Sequence, residues 1–187
     1  MKKIYLTFDV DWASDEVLGF FYDMICELDI KATIHVTHLT RWLNIWRADK
    51  RLELGIHPNF NKLLGKESSG TYKEIIADAM KMVPEAKTVR SHSLVSGSII
   101  SSEFGKVGLK NELNMYCYPQ RGCKLQAFSD SYGLNKIPFI FEDDLYIMQE
   151  KKREMSYYLS DEFEMPRVFN FHPIHLFLNT EKLERYD

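Results

Sequence analysis

Two hydrophobic periods follow each other at the start of the chain. Residues 3–10 carry apolar side chains at alternate positions, and residues 14–28 carry them at the spacing of a helix with one buried face. Ser14 is a suitable N-cap for that helix, because its hydroxyl can accept a hydrogen bond from an N–H group of the first turn. The pattern therefore predicts a strand followed by a helix.

The same alternation of strand and helix continues along the chain. Further strands are predicted at residues 31–37, 52–57, 88–91, 113–117, 137–141 and 167–171. Further helices are predicted at residues 39–49, from Thr71 to the residue before Pro84, and at residues 98–107. Thr71 and Glu74 form a capping-box pattern at the start of the second of these. Residues 118–134 show no regular period.

Repeated strand–helix units require a parallel sheet with helices packed on it. Such a sheet can be open and doubly wound or closed into a barrel, and in both arrangements chemistry gathers at the carboxyl ends of the strands. The chain has 187 residues and shows neither an internal repeat nor a linker-like segment. We therefore expect one α/β domain over residues 1–187.

Composition and charge exclude several classes of protein. An apolar share of 45% with 27% charged residues is ordinary for a globular protein. The formal net charge of -3 and the scattered Lys and Arg argue against a role in binding nucleic acid or a membrane surface. No stretch approaches the ~18 apolar residues of a membrane span, and polar residues interrupt the N-terminal segment where a signal peptide would be apolar.

The cysteines do not indicate an oxidising compartment. Cys26, Cys117 and Cys123 are odd in number and lack a C-x-x-C spacing. Neither a disulfide framework nor a thiolate zinc site is expected from them. The sequence therefore predicts a cytoplasmic protein.

Five of the predicted strands end in ionisable or ligating side chains. In chain order, these ends carry Asp9 and Asp11, His57, Arg90, the acidic run at residues 142–144, and His172 with His175. Because the carboxyl ends of parallel strands meet at one rim, we expect these side chains to converge there.

Asp9 and Asp11 share one face of the first strand, since side chains alternate with a period of two. In an extended strand their carboxylates would lie roughly 6–7 Å apart. That separation suits one carboxylate bound to a metal and another acting on a water. A solvated turn or a helix N-cap is the alternative interpretation of this pair.

His57 and His172 each precede a proline, which favours extended backbone and would hold each imidazole outward. Such a ring suits a metal ligand or a proton donor. Arg90 is a candidate partner for Asp9, because a neighbouring guanidinium keeps a carboxylate ionised. His35 alternates with apolar neighbours, and we expect it to have a core or rim role.

Taken in order, five segments resemble the motifs of the polysaccharide deacetylase family, the NodB-homology carbohydrate esterases. The segments are LTFDVDW, ELGIHPNFN, VRSH, FEDD and FNFHPIH, and the resemblance spans roughly residues 3 to 178. They look most like the WbmS-like branch, which is associated with surface-polysaccharide biosynthesis. The resemblance implies a distorted (β/α)7-type barrel and metal-dependent removal of an acetyl group from an N-acetylated sugar.

The resemblance also implies a role for each matched residue. The implied catalytic residues are Asp9 as general base, Arg90 as the residue that orients it, and His172 or His175 as general acid. The implied metal ligands are Asp11, His57 and Asn61.

Asn61 stands where the family usually has a second histidine. An amide oxygen is a weaker zinc ligand than an imidazole and moves a site toward oxygen-preferring metals. His92, His175 or one of the acidic residues 142–144 is an alternative third ligand. The implied cofactor is a divalent metal ion, with zinc favoured and other divalent metals as alternatives.

Two other functions fit the same residues. The first is hydrolysis of another C–N bond, in a cyclic imide or ureide, with the fold and metal retained. The second is a catalytically degenerate protein that binds glycans or supports an assembly of biosynthetic enzymes, a function that Asn61 would favour. The expected partner is an N-acetylated sugar or oligosaccharide, with no nucleic acid and no membrane insertion. Trp12, beside the acids, is a candidate for stacking on a sugar.

Overall fold

A computed structural model describes residues 3–66 and 70–185 of the chain. Its strands are β1 (Ile4–Asp9), β2 (Ala32–Val36), β3 (Leu52–Ile56), β4 (Thr88–Val89), β5 (Asn111–Tyr116), β6 (Phe128–Ser129), β7 (Asn135–Phe139), β8 (Phe141–Glu142) and β9 (Arg167–Phe171). They form one sheet in the order β6-β7-β5-β4-β3-β2-β1-β9-β8. Strand β1 therefore lies inside the sheet, between β2 and β9.

Helices connect most of the strands. They are α1 (Asp15–Glu27), α2 (Leu43–Ala48), α3 (Asn61–Leu64), α4 (Tyr72–Met82), α5 (Ser98–Lys106), α6 (Asp143–Ile147), α7 (Met155–Tyr158) and α8 (Pro173–Leu178). Ser14 caps α1 as predicted, and Thr71 with Glu74 forms the predicted capping box of α4. Helix α1 has 13 residues, and no helix in the described ranges is both long and apolar enough to cross a bilayer.

The sheet curls until its ends approach each other. Strands β7 and β8 are separated by Ile140 alone, yet β7 pairs with β5 and β8 pairs with β9. These partners lie toward opposite ends of the sheet, so one short segment of chain joins the two ends. Strand β7 is parallel to β5 and β8 is parallel to β9, whereas β6 is antiparallel to β7. The α/β fold with a curled, barrel-like sheet is therefore confirmed.

The two faces of the curled sheet differ in chemistry. On the outer face, Phe8, Ile34 and Ile56 pack in one apolar cluster with Phe21 and Ile25 of α1. Complete burial of such side chains stabilises the fold by about 1.5–3 kcal/mol each. On the inner face a small apolar cluster, formed by Leu113, Phe139 and Val168, is accompanied by buried polar residues.

Gly55 shows how crowded the inner face is. A Cβ atom at this position would lie 2.4 Å from Thr88 Oγ1 and 2.7 Å from His35 Cδ2. Both distances are far below van der Waals contact, so a larger residue would displace one of these side chains. The absence of a side chain at Gly55 of β3 therefore makes room for the His35 ring of β2.

The structure departs from the predicted elements in three regions. The helix predicted at residues 39–49 is confined to α2, and the 118–134 region contains only the short strand β6 among the described elements. No helix therefore covers the connection from β5 to β7. Between β8 and β9, helices α6 and α7 occupy a segment in which the sequence had predicted no element.

Candidate active site

The predicted strand ends meet at one small cavity. It has a volume of about 100 Å³ and is lined by side chains that follow β1, β3, β4, β8 and β9. Its walls include Asp9, Asp11, His57, His92, Glu142 and His172. Parallel pairing explains the convergence, because it places the carboxyl ends of neighbouring strands on the same edge of the sheet.

Asp11 lies between two imidazole rings from different loops. Its Oδ1 atom is 3.1 Å from Nε2 of His57 and 3.3 Å from Nδ1 of His92. Burial opposes the charge on Asp11, but hydrogen bonds from the two histidines outweigh it and hold the pKa of the carboxyl well below its usual value. The hydrogen bond between Asp11 and His92 raises the pKa of His92.

These three residues fit a divalent cation. Each offers one donor atom, and the three atoms lie within 4.8 Å of one another. Donors around a tetrahedral zinc lie about 3.4 Å apart when the metal–ligand bonds are about 2.1 Å long. Two imidazole nitrogens and one carboxylate oxygen also form a donor set typical of catalytic zinc. Asp11, His57 and His92 are therefore candidates to hold a metal.

Asp9 lies deeper, surrounded by hydrogen-bond donors. Its Oδ1 accepts from Nη1 of Arg90 at 3.1 Å and lies 2.9 Å from Nδ1 of His35. Its Oδ2 accepts from Nδ2 of Asn170 at 2.8 Å. Nδ1 of His57 lies 3.6 Å from Oδ1, so the carboxylate also faces the back of that ring. The contacts with Arg90, His35 and Asn170 together fix the orientation of the Asp9 carboxylate.

The electrostatics of this group keep Asp9 ionised. Burial would raise the pKa of Asp9, but the charge of Arg90 together with His57 and His35 outweighs burial and lowers it well below its usual value. Burial lowers the pKa of His35 to about 4, which leaves that ring neutral. A neutral His35 can donate its Nδ1–H to the carboxylate, so the two effects are consistent.

Arg90 is completely buried, and its contacts explain how the interior accommodates it. Its Nε donates to the carbonyl oxygen of Leu113 at 3.1 Å, and Nη1 also contacts Thr7 Oγ1 at 3.0 Å and the side-chain oxygen of Asn170. The guanidinium carbon lies 4.5 Å from the centre of the Phe139 ring. A guanidinium matched by one carboxylate, several oxygens and an aromatic face is tolerated in an apolar interior.

His172 forms a dyad with Asp143. Its Nδ1 lies 2.6 Å from Asp143 Oδ1, and its backbone N–H donates to Oδ2 of the same carboxylate at 2.7 Å. The other ring nitrogen, Nε2, is 3.5 Å from Asp11 Oδ2 and borders the cavity. Burial disfavours a charged ring, but the hydrogen bond and the charge of Asp143 outweigh it and raise the pKa of His172 to about 10.

His175 lies behind the cavity wall. Its Nε2 is 2.5 Å from Asp144 Oδ1, and its Nδ1 is 3.2 Å from Thr180 Oγ1. Asp144 lines the cavity, but the described lining does not include His175. Of the two histidines considered as the general acid, His172 is the one that lines the cavity, and its Nε2 atom lies near Asp11 there.

Asn61, predicted as a metal ligand, lies one layer away from the candidate metal residues. It begins the short helix α3, and its Nδ2 donates to Ser93 Oγ at 3.1 Å. Ser93 lines the cavity, and Asn61 is not part of the described lining. The second imidazole beside Asp11 comes from His92, one of the alternatives that the sequence left open.

One contributor to the site, Asn170, was missed at the level of sequence, and a second, Glu142, was named only among alternatives. Asn170 pairs with Thr7 across β9 and β1, and this register places its amide against Asp9. Asn170 is a polar residue between Phe169 and Phe171, two residues before His172, and this position was the available signal. Glu142 lines the cavity, where burial raises the pKa of its carboxyl to about 7. The sequence had offered it only as one of several alternative ligands.

Comparison with known proteins identifies the family of this chain. A model of WbmS-like polysaccharide deacetylases matches residues 6–187. A crystal structure of WbmS from Bordetella bronchiseptica, described as a polysaccharide deacetylase involved in O-antigen biosynthesis, matches with a TM-score of 0.91 and 35% sequence identity. The match covers 98% of this chain and 76% of that one. No curated protein is significantly similar to the chain. The chain therefore belongs to the WbmS-like family of polysaccharide deacetylases.

Proposed function

We propose that this protein is a metal-dependent hydrolase that removes an N-acetyl group from a sugar during surface-polysaccharide biosynthesis, in a lipopolysaccharide O-antigen or a capsule. The family supports an enzyme of this kind, and the similar Bordetella protein is described as acting in O-antigen biosynthesis. The observation that carries the proposal is a single cavity in which a candidate metal triad borders both a buried carboxylate and a histidine–aspartate dyad.

Asp11, His57 and His92 would hold the metal. Compared with the ligand set implied by resemblance, His92 replaces Asn61, and the additional imidazole makes zinc a better fit. Bound there, a divalent cation would lower the pKa of a water and polarise the acetamide carbonyl. Nδ1 of His57 is buried 3.6 Å from Oδ1 of Asp9, beyond hydrogen-bond distance, and the charge of Asp9 would favour the tautomer that leaves Nε2 for the metal.

Asp9 is the proposed general base, and His172 the proposed general acid. Asp9, Glu142 and His172 each place one donor atom within 4.8 Å of the others, so base and acid border the same space. Arg90, His35 and Asn170 fix the position of Asp9 and keep it charged. Asp143 fixes the His172 ring and favours its protonated form, which can donate a proton to the departing amine.

Acetate release tests the proposal directly. Protein loaded with zinc should release acetate from at least one member of a panel of N-acetylated sugars, and chelation should abolish that release. The panel should include N-acetylglucosamine, N-acetylgalactosamine and their oligomers, beside cyclic imides and ureides. Turnover of the cyclic amides alone would support the rival hydrolase. Sugar binding without acetate release, in fully loaded protein, would support the glycan-binding alternative.

A further inference from the structure

The cavity is too small to enclose a sugar. Its volume is about 100 Å³, whereas pockets that surround a whole small molecule usually measure about 300–1,000 Å³. An acetamido group can enter such a space, but a pyranose ring must remain outside. If the proposed function is correct, the residues at the rim therefore decide which sugar is held and how it is oriented.

Trp12 is an aromatic residue beside the cavity, next to the lining residues Asp11 and His92. It follows Asp11 directly, and its side chain remains 48% exposed. The indole meets the His92 ring edge-on, with centroids 5.1 Å apart at an interplanar angle of 78°. Its backbone N–H donates to Thr37 Oγ1 at 3.0 Å, so its position is fixed at both the backbone and the ring.

The backbone at Trp12 is unfavourable for a large side chain. Asp11 and Trp12 have φ angles of 38° and 57°, in the left-handed region where glycine is the least strained residue. Exposing half of an indole to water also contributes little to folding. A residue held in a strained conformation with its ring in solvent is a reason to look for function.

The other two tryptophans have structural surroundings. Trp46 is completely buried in the outer core. Trp42 packs over Gly19, and its Nε1 donates to the carbonyl oxygen of Asp15 at 2.8 Å. Trp12 differs from both because its ring contacts His92, a candidate metal ligand, and about half of its side chain is exposed to solvent.

We propose that Trp12 is the platform on which the sugar ring carrying the acetamido group stacks. The C–H face of a pyranose is apolar, and a flat indole offers it a large contact area at a low cost in side-chain entropy. Contact with His92 fixes the angle of the indole relative to Asp11, His57 and His92. The sugar is thereby held with its acetamido group over the cavity. The inference rests on the proposed function.

Tryptophan fluorescence and kinetics test the platform. Zinc-loaded wild-type protein and the variants W12F, W12A and W12G should be titrated with N-acetylglucosamine, N-acetylgalactosamine and the trimer of N-acetylglucosamine. We expect sugar-dependent quenching in the wild type and a loss of that quenching in all three variants. W12A and W12G should raise KM, or the dissociation constant of the bound sugar, about tenfold, and W12F should raise it less because a ring remains.

Controls separate stacking from folding and from metal binding. F20A removes an aromatic ring of similar exposure, 45%, that packs edge-on against Phe177 instead of against a candidate metal ligand. It should leave sugar affinity unchanged. W12G should be at least as stable as W12A in urea, since glycine relieves the strained backbone. Zinc content should stay near one per chain in every Trp12 variant.

The outcomes distinguish this proposal from the proposed function. Acetate release with an unchanged KM in W12A would overturn the platform and leave the deacetylase proposal standing. Quenching that depends on Trp12 without acetate release would support the platform and contradict deacetylation. The absence of any fluorescence change that depends on Trp12 across the three sugars would overturn the platform.

Discussion

Two clusters of charged side chains each border a cavity in this protein, but they differ in how far their charges are paired. The α5 cluster consists of Ser101, Glu112, Asp130 and Lys136, and it lies between α5 and the strands β5 and β7. The cavity cluster consists of Asp9, Asp11, His57, Arg90, His92 and His172 at the carboxyl ends of the strands. Both contain opposite charges at short range.

The α5 cluster borders a cavity of about 400 Å³, but its charged groups are paired with one another. Lys136 Nζ donates to Ser101 Oγ at 2.7 Å, lies 3.3 Å from Asp130 Oδ2 and forms an ion pair with Glu112. Ser101 in turn donates to the Glu112 carboxylate at 3.0 Å. The ammonium group of Lys136 therefore serves both Glu112 and Asp130. The Asp130 carboxylate also accepts hydrogen bonds from the backbone N–H groups of Tyr132 and Leu134.

The cavity cluster has an excess of negative charge that opens onto a cavity. Five carboxylates lie at or beside this cavity, those of Asp9, Asp11, Asp143, Asp144 and Glu142. Among the described contacts of these carboxylates, the permanently charged cation is Arg90, which contacts Asp9. Such a concentration of carboxylates, with imidazole nitrogens among them, favours a bound cation. The difference indicates that charges paired within one network suit stability, whereas an excess of carboxylates beside imidazole nitrogens suits binding and catalysis.

Removing Asp11 should have the largest effect on activity. Asp11→Ala deletes the oxygen between His57 and His92, so we expect loss of bound zinc and a fall in kcat/KM of at least about 10⁴-fold. Elemental analysis and acetate release measure the two effects. Asp78→Ala is the matched control, because its carboxylate forms an exposed ion pair with Lys81. Full zinc content in Asp11→Ala would show that the ligands lie elsewhere.

Asp9→Asn tests the division between ligand and base. We expect turnover to fall about 10²–10⁴-fold while zinc is retained, since a general base contributes a factor of that size. The isosteric amide keeps the space filled but cannot accept a proton. Zinc loss in Asp9→Asn would mean that the roles of Asp9 and Asp11 are exchanged.

The two histidines after β9 should differ in effect. His172→Gln should lower kcat about 10²-fold or more, because its Nε2 borders the cavity and its Nδ1 is held by Asp143. His175→Gln should lower kcat less than tenfold, because His175 contacts Asp144 behind the wall. Steady-state kinetics on both variants decide the assignment, and the reverse order would make His175 the acid.

Lys136→Met should affect stability and leave chemistry unchanged. Removing the ammonium leaves Glu112 nearly buried without its cation, so the free energy of unfolding should fall by about 3 kcal/mol. Zinc-loaded protein should retain wild-type kcat/KM. Urea unfolding and acetate release measure both quantities. Loss of activity with retained stability would show that the α5 cluster belongs to the functional site.

Asp130→Asn should have the smallest effect, and that effect should depend on pH. Burial would raise the pKa of Asp130, but hydrogen bonds from the backbone N–H groups of Leu134 and Tyr132, together with Lys136, lower it. A lowered folded-state pKa stabilises the fold above the unfolded value of about 3.9, and this contribution is lost as pH falls through the folded value. The stability difference between wild type and variant should therefore be largest near neutral pH and shrink in acid.

Periodicity and parallel-sheet topology were enough to predict much of the candidate site. The alternation of strands and helices predicted an α/β sheet, and this predicted that Asp9, Asp11, His57, Arg90 and His172 would meet at one rim. Both steps depend on local patterns, since side-chain period and strand direction are properties of a short segment. The cytoplasmic location and the extent of the domain stay predictions.

Only the tertiary structure decided which side chains lie beside the two aspartates, Asp9 and Asp11. His92 lies beside Asp11, and Asn61 does not, because the loops after β3 and β4 set the ring directions, with Ser93 and Leu94 in left-handed backbone conformations. The register of β1 with β9 brings Asn170 to Asp9. Distances between loops and the registers between distant strands depend on packing of the whole chain, and no local hydrophobic pattern encodes them.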